Sequence, residues 1–151
     1  MSILFSPLVL RGTTLRNRLW VSPMCMYSAV DGMPQEWHHT HLAQFASGGA
    51  GLVVAEATAV SPEGRISPED TGLWNDEQRD AWKPIVAAIR ARGSVAGVQL
   101  AHAGAPRGLH PEHRRTRVGV RAGTDAEHAS GILVVGGRWP PQEPSRLGSR
   151  P

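Results

Sequence analysis

Thiol and phenol are scarce in this chain: 151 residues hold one cysteine, Cys25, and one tyrosine, Tyr27. A single cysteine excludes an internal disulfide framework and makes a reducing compartment, the cytoplasm, the expected location. No apolar run approaches the roughly 20 residues that a membrane span needs. The N-terminus lacks a basic region followed by a long apolar one, so no secretory leader is expected. What remains is a globular composition, 40% hydrophobic, on a chain long enough for one core.

Charge divides the chain. Up to Gly104, eight basic side chains face nine acidic ones; beyond it, eight arginines face four acids. The stretch 105–151 also carries half of the twelve prolines and seven of the seventeen glycines. Two compositional regions, 1–104 and 105–151, are therefore expected.

The first region alternates strand and helix signals. Leu8 to Leu15 reads as a hairpin turning at Arg11-Gly12, where glycine tolerates positive φ. Leu19 to Ser22 reads as a strand stopped by Pro23. Asp31-Gly32 marks a turn. Glu36 to Ser47 reads as a helix ended by glycines. Gly51 to Val60 is near-continuously apolar, as a strand of a parallel sheet buried on both faces is. Ser61 to Gly72 reads as a loop. Asn75 to Arg92 reads as a helix, with Asn75 as its cap, acids in its first turn and an apolar stripe through Ala81, Trp82, Ile85, Val86 and Ile89. Pro84 should kink or divide it. Ser94 to Leu100 reads as a third buried strand. The order hairpin-β-α-β-α-β implies right-handed crossovers on a parallel sheet, an α/β fold with too few strands for a closed barrel.

Ligands of parallel α/β proteins sit at the carboxyl ends of strands. Ser22-Pro23-Met24-Cys25 follows the first strand, and its sulfur-rich turn is either core filling or a lining for a flat, polarisable heteroaromatic. Glu56 is either paired within the second strand or marks its exit to solvent. Gln99, at the end of the third, is either a satisfied core amide or a reader of an imide edge. His38 and His41 stand at i, i+3, but no carboxylate or cysteine supports them at a suitable spacing, so no metal is expected and a helix turn packed on the sheet is the better account. His102 reads as a structural histidine bonded to backbone. Arg114 to Arg117 could contact phosphates, yet aromatic residues are not interleaved and acids are, which argues against nucleic acid.

In order along the chain, LRNRLWVSPMCMYS, EATAVSPEGRIS and QLAHAG resemble the N-terminal part of the Old Yellow Enzyme family, in its short bacterial branch of NADPH-dependent ene-reductases, over about residues 4–104. The resemblance implies a partial TIM barrel with FMN at its C-terminal mouth. It implies hydride passing from NADPH through flavin N5 to an activated alkene or carbonyl substrate. It assigns Ser22, Pro23, Met24, Cys25, Ala57 and Gln99 to flavin contacts, Cys25 to tuning of the flavin potential, and Tyr27 to the substrate side. Intact members could assemble as homo-oligomers. No membrane partner is implied.

After Gly104 the sequence departs from this pattern: Ala105 stands where the family has arginine. The aperiodic stretch 105–151 is expected to be disordered or an out-of-frame reading, with only Ile132 to Val135 apolar. The edge of the third strand is then expected to be unpaired, and the chain to have little or no activity. The alternative from another class is a non-catalytic binding module whose basic tail contacts nucleic acid.

Overall fold

The computed structural model describes residues 2–103 and the backbone of residues 129–135. The chain opens on an antiparallel hairpin, β1 (Leu8–Leu10) and β2 (Thr13–Leu15). Arg11 and Gly12 close it at φ +45° and +84°. Positive φ at both central positions gives a turn whose twist matches the flanking strands. The main sheet takes β3 (Trp20–Val21), β4 (Leu52–Ala59), β6 (Val95–His102) and β7 (Ala129–Val135) in that order, with β5 (Thr71–Gly72) paired to the end of β4. Strands β3 to β6 pair in parallel. Helix α1 (Glu36–Ser47) joins β3 to β4, and α2 (Asp76–Ala91) joins β5 to β6.

Strand β4 is buried along its whole length and separates two cores. Val53 and Ala55 face the helix layer, against Leu42, Ala46, Trp82, Ile85 and Ile89. Leu52 and Val54 face the other way, against Leu15 of the hairpin. Alternation by two along a strand produces this division. The arrangement is a sector of a β/α barrel: strands inside, helices outside, a hairpin under the inner face.

Arg16 locks the amino ends of these strands. Its guanidinium donates to the carbonyls of Ala46 (2.9 Å), Ala50 (2.9 and 3.1 Å) and Arg92 (2.8 Å), and to Ser94 Oγ (3.0 Å). The Ala46 carbonyl lies in the last turn of α1 and the Arg92 carbonyl at the C-cap of α2, where intrahelical donors run out. One side chain thus ties both helix ends to the start of β6.

Four expectations need correction. The loop 61–72 contains a 3₁₀ turn (Pro62–Gly64) and β5, because Thr71 Oγ1 meets Thr58 Oγ1 at 2.9 Å and Trp82 Nε1 donates to the Gly72 carbonyl at 3.3 Å. Pro84 does not divide α2: it lies on the exposed side, so the carbonyl that loses its amide partner is left where water reaches it. The third strand runs on to His102, since β4 and β6 keep pairing as far as Ala59 and Ala101. Its edge is not unpaired: β7 covers it antiparallel over seven residues, Ala96 opposite Val135 to His102 opposite Ala129, the apolar run Ile132 to Val135 being part of that strand. The basic stretch Arg114 to Arg117 and the rest of 105–151 lie outside the described residues.

Replacing Arg16 with alanine leaves several helix-end carbonyls without a charged donor. Urea unfolding of Arg16→Ala should show a loss of about 2–3 kcal/mol; a change under about 0.5 kcal/mol would mean that water replaces the clamp.

Candidate functional site at the carboxyl ends of the strands

The residues singled out from sequence come together at one end of the sheet. Past Val21 the chain runs irregularly from Ser22 to Ala29. Ser22 and Met24 are exposed, Pro23 and Cys25 partly buried. The Cys25 sulfur faces the backbone amide of Ala57 on β4, and Ala57 is registered opposite Gln99 on β6. Three consecutive strand segments therefore contribute to one surface. Ala57 and Gln99 do not end their strands, as expected, but stand two and three residues before the ends at Ala59 and His102.

A flat heteroaromatic with an imide edge needs paired donors and an acceptor. Among the described residues the amides of Met24 and Cys25 donate to no protein group, and the Gln99 side-chain amide has no protein partner. These groups lie beside a small residue, Ala57, and the soft sulfurs of Met24 and Cys25. Such a donor and acceptor set fits a flavin.

The local geometry depends on one extra residue in β4. The pairing with β6 slips between Ala55 and Ala57, so Glu56 is a bulge. A bulge shifts the alternation of faces by one. Ala57 thereby takes the phase of Leu52 and Val54 rather than that of Val53 and Ala55. Glu56 itself is fully buried and directed to α1, its Oε1 3.0 Å from His38 Nε2, while its Oε2 accepts from the Met26 amide at 2.8 Å. Of the two readings of Glu56, pairing within the strand holds and exit to solvent does not.

His38 occupies the third position of α1. Its Nδ1 accepts from the Gln35 amide at 2.9 Å, as Glu or Gln does in a capping box. Nε2 is the ring nitrogen that faces Glu56. His41, by contrast, stacks on Trp37 (5.1 Å between centroids) and meets Phe45 edge-on (4.9 Å). The two histidines do not converge. The His102 ring packs over Gly64, where a Cβ would come within 2.9 Å of it.

Tyr27 sits at φ +50°, a left-handed conformation that is an outlier for a bulky side chain. The residue is 44% exposed. Such strain persists only where neighbours over-determine it, and it costs about 1–3 kcal/mol. Here the preceding amide is held by Glu56.

Two groups that sequence reading passed over complete the surroundings. Asp70 is buried, with Oδ2 accepting from the Ile66 amide (2.7 Å) and the Ser67 amide (3.2 Å) and Oδ1 from Ser67 Oγ (3.0 Å). Burial raises its carboxyl above the ordinary range against those bonds. The His38–Glu56 contact had a signal, a carboxylate within an apolar strand and a histidine early in a helix, but nothing in the spacing paired them. Burial also pushes the Cys25 thiol up from its ordinary 9.0, opposed by the Ala57 amide and reinforced by the charges of Asp70 and Glu56. Tyr27 is raised likewise, by burial and then by Cys25, Asp70 and Glu56. Among the described residues no helix is long and apolar enough to cross a membrane.

The sequence profile of the NADH:flavin oxidoreductase / NADH oxidase family matches residues 3–132, reaching beyond Gly104, where the motif resemblance ended. An NADPH dehydrogenase of Bacillus pumilus is 52% identical over 103 residues, 67% of this chain and 30% of that protein. One of Listeria welshimeri is 53% identical over 106 residues, 69% and 31% of the respective chains. The solved Old Yellow Enzyme homologue of Zymomonas mobilis superposes with a TM-score of 0.64 at 36% identity, over 68% of this chain and 29% of that one. Morphinone reductase, solved in complex with tetrahydroNAD, gives 0.64 at 35% identity, over 69% and 28%. The chain spans about a third of the length of the curated relatives it matches.

A thiol raised by folding stabilises the folded state fully below its unfolded value. That contribution is lost as pH rises through the raised folded value. The unfolding free energy should therefore decline above about pH 9, and more steeply in the native chain than in Cys25→Ala. Equal slopes in pH-resolved urea titrations would show that Cys25 is not buried as described.

Proposed function

The chain belongs to the NADH:flavin oxidoreductase / NADH oxidase family, that of the Old Yellow Enzymes, and on that premise we propose that Ser22 to Cys25, Ala57 and Gln99 form one wall of an FMN site in an NADPH-dependent oxidoreductase. The observation that carries this reading is the set of unpartnered groups at the strand mouths: the Met24 and Cys25 amides and the Gln99 side chain.

Each residue has a task in that wall. The amides of Met24 and Cys25 supply donors. Gln99 offers both a donor and an acceptor to an imide edge. Ala57, with only a methyl group, lets a ring approach the backbone. Pro23 restricts the turn that presents them. Cys25 supplies a polarisable sulfur and a thiol proton beside the ring, a means of adjusting cofactor electronics. Tyr27, an exposed residue, stands on the substrate side. When bound, FMN would supply hydride transfer from NADPH to an electron-poor alkene or carbonyl compound. Complexes of relatives with tetrahydroNAD and with pHBA agree with a mouth that receives a nicotinamide or a small ligand.

The described residues line one side of such a site. A polypeptide of these 151 residues by itself is therefore expected to turn over NADPH slowly or not at all, while retaining some contact with flavin.

The test is spectroscopic. Adding FMN to the purified chain should perturb flavin absorbance and quench its fluorescence. Gln99→Leu should weaken that binding about tenfold, as loss of one hydrogen-bonding group against a buried edge does. Unperturbed flavin, together with oligonucleotide binding of steep salt dependence, would instead favour the nucleic-acid module.

A further inference from the structure

The bulge at Glu56 decides which side chains of β4 reach the site, and two buried hydroxyls stand against it. Thr58 and Thr71 are both fully buried and lie in register across β4 and β5. Their Oγ1 atoms are 2.9 Å apart. Thr58 Oγ1 is also 2.9 Å from the Glu56 carbonyl oxygen, and Thr71 Oγ1 is 3.5 Å from that of Ala57. Each hydroxyl has one proton to give. If Thr58 gave its proton to Thr71, Thr71 would be left with only the 3.5 Å contact, beyond the usual range of an O–H···O bond. The order is therefore Thr71 to Thr58, and Thr58 to the Glu56 carbonyl, both at 2.9 Å. Glu56 is the residue that the pairing of β4 with β6 skips. A hydroxyl bonded to nearby backbone offers the chain an alternative to the ladder, and here it does so where the ladder is interrupted. Thr71 is itself fixed: the next amide, of Gly72, donates to the Gly32 carbonyl at 2.8 Å, and the Gly72 carbonyl accepts from Trp82 Nε1 at 3.3 Å.

We propose that Thr58, supported by Thr71, is a positioning residue of the candidate site: its hydroxyl holds the Glu56 carbonyl in the bulge, and the bulge turns Ala57 into the wall opposite Gln99. The value of that wall to a flavin rests on the function proposed above; the placement of Ala57 does not. Alternation shows what the hydroxyl protects. Without the bulge, Ala57 would fall in phase with Val53 and Ala55 on the helix side, and Glu56 and Thr58 in phase with Leu52 and Val54 on the inner face. The wall would lose its methyl-sized residue and gain larger polar ones. Thr58 is not itself a wall residue, and acts through Ala57 and Gln99. Strand β5, only two residues long, has its use in bringing Thr71 to Thr58.

Valine matches threonine in shape but has no hydroxyl, while serine keeps the hydroxyl. In isotopically labelled, flavin-free protein, NMR cross-peaks between the backbones of Ala57 and Gln99 read the register. They should be present in the native chain and in Thr58→Ser, and lost in Thr58→Val. FMN affinity should fall about tenfold in Thr58→Val and stay near the native value in Thr58→Ser. Ile85→Val removes one methylene from the core on the helix side; it should lower stability and leave both the cross-peaks and FMN affinity as they are. Native cross-peaks in Thr58→Val would overturn the proposal, and so would their loss in Thr58→Ser. A fall in FMN affinity in Ile85→Val equal to that in Thr58→Val would also overturn it, by marking general stability as the cause. Should Thr58→Val fail to fold, the hydroxyl protons of the native chain decide, since burial slows their exchange enough for both to be observed. The Thr71 hydroxyl proton should give the stronger cross-peak to the Thr58 Hβ; a Thr58 hydroxyl proton directed at Thr71 would overturn the proposal, because it could not then serve Glu56. The cross-peaks require no bound FMN, so a failure to bind flavin and a failure of this inference are separate outcomes.

Discussion

A buried carboxyl group, Glu56, that among the described residues has no Lys or Arg partner is the constraint on which this site depends. Glu56 must find polar partners wherever it lies, because a buried polar group without them is costly to keep. One donor is the Met26 amide, which obliges the chain after β3 to pass beside β4 and turn through Tyr27 in a left-handed conformation. The other carboxyl oxygen lies 3.0 Å from His38 Nε2, and since His38 Nδ1 accepts from the Gln35 amide, α1 must begin where its third residue sits between Gln35 and Glu56. The bulge that turns Glu56 toward α1 also sets Ala57 beside Cys25 and opposite Gln99. One polar contact network thus coordinates a loop, a helix start and two strands.

The two ends of the sheet are built for different purposes. At the amino ends Arg16 and Asn17 satisfy carbonyls of Ala46, Gly49, Ala50 and Arg92, and Gly51 is needed because a Cβ there would lie 2.5 Å from the Asn17 carbonyl oxygen. At the carboxyl ends, among the described residues, the Met24 and Cys25 amides and the Gln99 side chain have no protein partner, Met24 and Tyr27 are exposed, and backbone strain is retained. In β/α barrels the first end serves stability and the second serves chemistry. The proposed flavin wall lies at the second of these ends.

Much of the fold was legible because it rests on periodicity and punctuation. The hairpin at Arg11-Gly12, the helix at Glu36–Ser47 and the capping of α2 by Asn75 follow from local chemistry alone, and the Asn75 side chain does accept from the Gln78 amide at 2.8 Å. Strand β5 was not legible, since two residues have no period and their pairing is fixed by Thr58 and Trp82 from elsewhere in the chain. The antiparallel cover of β6 was missed for a related reason: the run Ile132 to Val135 is too short to show which strand it joins. At the site, residue types pointed to the strand mouths, and motif resemblance named Cys25, Ala57 and Gln99. The bulge and the His38–Glu56 contact were hidden, because a one-residue slip in pairing and a contact eighteen positions apart leave no local trace. Asp70 was hidden too, its burial arising from the surrounding loop.

The central claim is that the mouths of β3, β4 and β6 form one wall of a flavin site. Amide-resolved NMR of the isotopically labelled chain, titrated with FMN, tests it most directly. The account predicts shifts concentrated at the Met24, Cys25 and Ala57 amides and the Gln99 side-chain amide, with the Arg16 end of the sheet unmoved. Shifts confined to the arginine-rich region beyond Gly104, or spread evenly over the chain, would contradict it.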